Sequence, residues 1–457
     1  MSEGTVLTVN LKGGGNWRTS GLWYGYERDI TSSSKLVTRI GNLALHVSNP
    51  IQSKIARYVE NLDGSVNYWL HPNNALLRWD NSAPAKLDGT EGNLQLHKPG
   101  YYYRVEVEGN KVRHMFSETA LPGFTWMPPK PTSWVWGTYD NISNVAAAVC
   151  SLTFDTNGDP ARDGAGFPIF AANAARYRGG SNNPALDALN TSMLGMARTS
   201  VAKADIRAKC AAIGAHHGNY RVLAEIARLY VLEYANYDVQ EAYNPVLTAE
   251  GYRQGGLGQG SSVISSEWNT HNAYNPYIPN GVTAKLGNNT GIVNYTIKGW
   301  AGGADKVVQS SSYRGLENWY QYLYLIVDDL MIYHQTLAEG DKSKAYICEN
   351  PSLFANPAND SLPGAPTGYI ERAQLPRTTG YILLESDNLF GDVLPKTIGG
   401  SGNQGTCDYY WIPATFGWHM ALLFAAGHRS AYSGPRALDT YGRSTTANAS
   451  SGFRLGR

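Results

Sequence analysis

The sequence predicts an α+β fold in which short strands and long irregular loops dominate and two helices lie near the middle. Three observations predict it. The chain holds 30 Tyr, 12 Trp and 49 Gly among its 457 residues, a mix that favours strands joined by turns. Apolar runs are short and mostly alternate with polar residues, the period of a half-buried strand. Two central stretches, residues 201–213 and 220–234, keep a helical period over several turns.

Taken in chain order, Lys35–Arg39 and Ser65–Leu70 read as strands. Between them Ile51, Ile55, Tyr58 and Val59 fall at helical spacing, so residues 51–62 are expected to form a helix. Tyr101–Val107 alternates, Glu108-Gly109-Asn110 turns, and Lys111–Phe116 returns, which predicts a hairpin. Pro122–Ser133 is proline-rich and irregular. The first central helix should start after Ser200 as N-cap and stop at Gly214, with Ile206, Cys210 and Ile213 inward. The second carries Val222, Ile226 and Leu229 on one face and Leu223, Ala227 and Tyr230 beside it, an apolar girth that belongs inside a protein. Strands recur at Tyr381–Leu384 and Tyr409–Ile412. Phe453-Arg454-Leu455 alternates, so it reads as a strand that docks into a sheet. No repeat of fixed period is visible. The length allows two or three domains. We expect residues 1–95 to form a small β-rich module for attachment or oligomerisation, and residues 96–457 a ligand-binding domain.

Bulk properties narrow the function classes. Charged residues are 16% of the chain and the net charge is +1, so nothing marks it for nucleic acid or an anionic membrane surface. No apolar run reaches membrane-spanning length. The stretch MSEGTVLTVN has no basic region followed by an apolar core, so no signal peptide is expected. Tyr and Trp set among Ser, Gly and Asn is the composition of binding surfaces. A protein made in the cytoplasm that works outside the cell, as a virus particle protein does, reconciles these features.

Motifs for chemistry are weak. Asp155-Thr-Asn-Gly-Asp159 begins like a calcium loop, but its glycine is misplaced and no glutamate stands at the twelfth position, so an acidic turn is preferred. His216-His217 lack a third ligand at metal spacing. Gly255–Gly260 lacks the ending of a phosphate loop. Asp328-Asp329 follow an apolar run and read as cap or turn rather than ion site. Cys150, Cys210, Cys348 and Cys407 form no paired motif and read as separate buried thiols. No catalytic residue, metal ligand or cofactor is assigned.

Particular residues carry a resemblance. Val201, Ala204-Asp205 and Cys210, then Arg221, Ala224-Glu225 and Glu233-Tyr234-Ala235, and finally Gly452-Phe453-Arg454-Leu455 resemble the helices and closing strand of the formylglycine-generating-enzyme version of the C-type lectin fold. The resemblance implies a C-type-lectin-like domain with long loop insertions, whose last strand returns beside its first. It does not carry over that family's chemistry, because Cys407 stands alone where the enzymes have paired cysteines. Segments 39–55, 92–109, 256–260, 313–334 and 398–411 are similar to phage receptor-binding proteins of diversity-generating retroelement systems, the major tropism determinant family. That similarity implies a phage virion or tail-fibre protein, a homotrimer touching other virion proteins, that binds a host surface glycan or protein without catalysis. It also implies a variable face over residues 418–455, with His428, Arg429, Ser430, Tyr432, Arg436, Asp439, Tyr441 and Arg443 as ligand-binding residues. His428 and Ser430 replace the second glycine and the tryptophan of the family's frame. A structural virion component using the same fold for assembly is the alternative.

Overall fold

The computed structural model describes residues 17–457; the opening stretch read for a signal peptide lies outside them. Among the described residues the first ten strands are β1 (Tyr24–Asp29), β2 (Thr38–Gly41), β3 (Ala56–Glu60), β4 (Val66–His71), β5 (Asn74–Arg78), β6 (Asn93–Lys98), β7 (Tyr101–Glu108), β8 (Lys111–Ser117), β9 (Thr125–Met127) and β10 (Lys130–Ser133). They make two five-stranded sheets, ordered β2-β1-β8-β7-β9 and β10-β6-β3-β4-β5. The expected hairpin is β7–β8, closed by Glu108 opposite Lys111 with Gly109 at φ +56°. The expected boundary at residue 95 falls inside β6. Strands from both sides of it share each sheet, since β1 pairs with β8 and β6 with β10.

The expected helix at 51–62 is corrected. A single turn, Gln52–Lys54, leads straight into β3. β3 is a central strand, paired with β4 and β6, and its last four residues are all buried. Where both faces of a strand are covered, burial shows no period of two, and apolar positions fall at helical spacing by chance.

Next come the hairpin β11 (Thr138–Asp140) and β12 (Val145–Ala147), and a three-stranded sheet of β13 (Gly291–Ile297), β14 (Lys306–Tyr313) and β15 (Leu316–Glu317). Among the described residues four α-helices accompany the sheets: α1 (Leu43–Ser48), α2 (Lys203–Ala211), α3 (Tyr220–Tyr234) and α4 (Ser265–Asn272). α3 has the predicted bounds, and all fifteen of its residues are buried. α2 starts later than expected. Its N-cap is Ala202, while Ser200 adopts φ +57° and gives its N–H to the carbonyl of Asn448.

The last and largest sheet has nine strands: β16 (Tyr324–His334), β17 (Ser343–Ile347), β18 (Ile370–Leu375), β19 (Gly380–Glu385), β20 (Pro395–Ile398), β21 (Tyr409–Trp411), β22 (Gly417–Leu423), β23 (Leu438–Asp439) and β24 (Ser451–Gly452). Its order is β18-β17-β16-β22-β23-β21-β19-β20, with β24 added beside β16, and it nearly closes on itself. All of β16 is buried. Its pairing with β22 shifts register between Ile326 and Met331, and this bulge holds Asp328 and Asp329. Asp328 takes two bonds of 2.6 Å from Arg207 on α2. Asp329 accepts the N–H groups of Tyr220 and Arg221, capping α3 from another strand. The pair thus caps and anchors helices, as the sequence indicated. His217, buried beside Asp328, is pushed down to about 3 by burial and is neutral at pH 7. The four cysteines are buried and unpaired. Among the described residues no helix is long and apolar enough to cross a membrane.

Residues 451–456 tie these parts together. β24 runs parallel to the start of β16. The carbonyl of Phe453 accepts from Gly137 N–H, that of Leu455 from Ser133 N–H, and Gly456 exchanges both bonds with His216. Phe453, Arg454 and Leu455 are fully buried. The Arg454 guanidinium lies over the Trp136 ring at 4.8 Å and donates to the carbonyls of Ser133 and Glu317.

Candidate functional site

The expected face is built on β21, β22 and β23. After β22 the chain turns through Phe424 and Ala425, both at positive φ, and leaves the sheet as a short helical loop, Gly427–Tyr432. The loop is kinked at Ser430 (φ 48°, ψ −126°). Gln240 reaches across to bond the carbonyls of Ser430 and Ser433, which holds the kink. The chain then returns as β23, antiparallel to β22 and parallel to β21.

Alternation along β21 decides what the loop meets. Tyr410 points into the core and is fully buried, so Tyr409 and Trp411 stand on the opposite side. Tyr432 packs on that side, its ring 4.6 Å from Tyr409, 5.5 Å from Tyr381 and 6.0 Å from Trp411. It remains 41% exposed. Beside this aromatic group opens a cleft of about 610 Å³. Arg429 forms part of its wall. Its Nε donates to the Tyr324 hydroxyl at 2.6 Å and its guanidinium lies 5.4 Å from the Trp411 ring. His428 sits between Trp268 and Tyr274, at 5.6 and 5.8 Å. Burial, reinforced by Arg429, brings it down to about 4, so it is uncharged at pH 7. Asp439 is 5% exposed and accepts the Tyr441 N–H at 2.8 Å. Burial raises its pKa and Arg429 opposes this. Tyr441 is 58% exposed at the cleft edge.

Of the eight expected residues, His428, Arg429, Asp439 and Tyr441 line the cleft, and Tyr432 stands beside it. Ser430 is exposed on the same loop. Two lie elsewhere. Arg436 is a correction: it is 2% exposed, its Nε donates to Glu385 at 2.5 Å, its N–H goes to Asp408, and its guanidinium stacks on Tyr237. It is an interior charge that clamps β19 and α3, and it cannot meet a ligand. Arg443 is also spent internally, on the carbonyls of Phe416 and Trp418. The residues that sequence reasoning missed are Tyr381, Tyr409, Trp411, Tyr324 and Tyr274. The alternation Tyr409-Tyr-Trp411 was the available signal: a strand with one buried tyrosine presents its two neighbours on the other face.

A larger cleft, about 810 Å³, shares no residue with this one. Most of its charged lining is already paired, Asp140 with Arg176 and Glu91 with Arg78, and Asp63 accepts from Ser65, so it offers less to a ligand. A scan against protein-family models and a search of curated proteins both return no match.

Proposed function

We propose that this chain is a phage virion protein that recognises the host cell surface by binding, not by catalysis, through the cleft at Arg429, Asp439 and Tyr441. The observation that carries the reading is the contrast between surface and support. Exposed tyrosines and a half-buried arginine stand on a loop, while the scaffold below is locked by buried ion pairs and a fully buried helix. Such a scaffold tolerates substitution at its exposed loop positions. The fold proposed is of the C-type-lectin type. Its support is the order of α2, α3 and the segment 451–456, which pairs back onto residues 132–137 and 216. A homotrimer in contact with other virion proteins is part of the proposal, since several weak sites on one particle multiply their effect.

The test is adsorption to intact host cells by the labelled chain and by a Tyr432→Ala/Tyr441→Ala variant. Both tyrosines are exposed, so the variant should keep the parent's melting temperature. Truncating two aromatic anchors should weaken adsorption by about tenfold or more. A wild-type chain that assembles into particles but binds no cells would be a structural virion component instead.

A further inference from the structure

We infer that the cleft takes an acidic saccharide, with the terminal amino groups of Arg429 holding a sugar carboxylate. The inference rests on the reading of this cleft as the binding site and names its ligand class.

Arg429 differs from the arginines around it. Arg436 and Arg228 share Glu385, and Arg314 is paired with Glu233. Arg429 commits only its Nε, to Tyr324. Among the described residues no carboxylate lies within ion-pair distance of it, and none bonds its Nη1 or Nη2. Asp439 is close enough to influence it electrostatically, yet is turned to the Tyr441 N–H and largely sealed from solvent. The cleft therefore holds one cation and one buried carboxylate, and it offers the two terminal donors of Arg429, in a fixed plane, to a ligand. A carboxylate matches that fork with two parallel bonds. The Tyr324 bond and the Trp411 ring hold the fork in place before any ligand arrives.

The other walls suit a ring bearing hydroxyls. Thr446, Asn448 and Ser450 add short polar side chains to the lining, and Tyr441 and Tyr274 add aromatic surface. Aromatic rings stack on the apolar faces of pyranoses while short polar side chains bond their hydroxyls. Carboxylate and polyol together describe a uronic or sialic acid unit.

The experiment is calorimetric titration of the full chain with oligogalacturonate, oligoglucuronate and a sialyl oligosaccharide, each beside its methyl ester. A peptide with a free C-terminal carboxylate forms a further arm. At least one acidic sugar should bind, and its ester should bind about tenfold or more weakly, the range for one bond to a charged group. Arg429→Gln should bring the acid down to the ester's affinity, Arg429→Lys should recover part of it, and both should melt like the parent. Equal binding of acid and ester, or an acid preference that survives Arg429→Gln, overturns the inference. So does binding of the peptide alone, which would make the receptor a protein. If no acidic sugar binds while the chain still adsorbs to cells, this inference fails and the receptor reading stands. Failure of both assays removes both.

Discussion

Replacing Glu385 with glutamine should destabilise the protein by about 3–5 kcal/mol at pH 7, the cost of leaving buried charge without its partner. The Glu385 carboxylate is 2% exposed and accepts from Arg436 at 2.5 Å, Tyr237 at 3.1 Å and Arg228 at 3.2 Å. Burial alone would raise its pKa, but Arg436 and then Arg228 outweigh burial and hold it at about 2. Its folded value thus lies below the ordinary 4.5, so its contribution is complete above pH 4.5 and is lost as pH falls through about 2. That gap corresponds to about 3 kcal/mol. Urea unfolding of the wild type and Glu385→Gln should therefore differ most at pH 7 and converge between pH 4.5 and 2. A difference that stays constant over this range would show that the charge of Glu385 does not matter.

Phe453→Ala should cost about 3–5 kcal/mol, as for other buried phenylalanines truncated in a packed core. The ring is fully buried, 5.8 Å from that of Tyr139, and lies directly against Gly137. A Cβ on Gly137 would stand 2.4 Å from the Phe453 ring, its nearest obstacle, so Gly137→Ala should also destabilise. The two sites should be coupled: Gly137→Ala should cost less in a Phe453→Leu background, by about 0.5–3 kcal/mol. A double-mutant cycle with no coupling would mean that the packing at this seam is not as described. Ser450, three residues before Phe453, lines the candidate cleft, so Phe453→Ala should also weaken adsorption.

What the sequence disclosed depended on whether the deciding interaction was local. α3 was legible to the residue, because its apolar period runs unbroken from Tyr220 to Tyr234. The β7–β8 hairpin was legible because its turn and alternation lie within sixteen residues of sequence. β3 was not, since only its place between β4 and β6 makes both of its faces interior. The candidate site divides in the same way. Loop residues 428–432 and the pair Asp439 and Tyr441 could be picked out as one segment. Arg436 was misplaced because nothing near it reveals that Glu385 and Asp408 wait inside, although Pro435 before it and Ala437-Leu438 after it hint at a buried stretch. Tyr409 and Trp411 reach the site through the parallel pairing of β21 with β23, which sets Tyr410 opposite Leu438 and Trp411 opposite Asp439. No local pattern encodes such a pairing.

The seam at residues 451–456 also sets a timetable for synthesis. Leu455 bonds the Ser133 side chain across 322 positions of sequence. At ordinary elongation rates roughly 15–60 s separate the two on the ribosome. Throughout that interval the nascent chain carries β10, Gly137 and the aromatic wall at Trp136 without their cover. Contacts of such long range are slow to form and leave sticky intermediates. Yield in a recombinant host should therefore depend on chaperone capacity and growth temperature more than on the final stability of the fold.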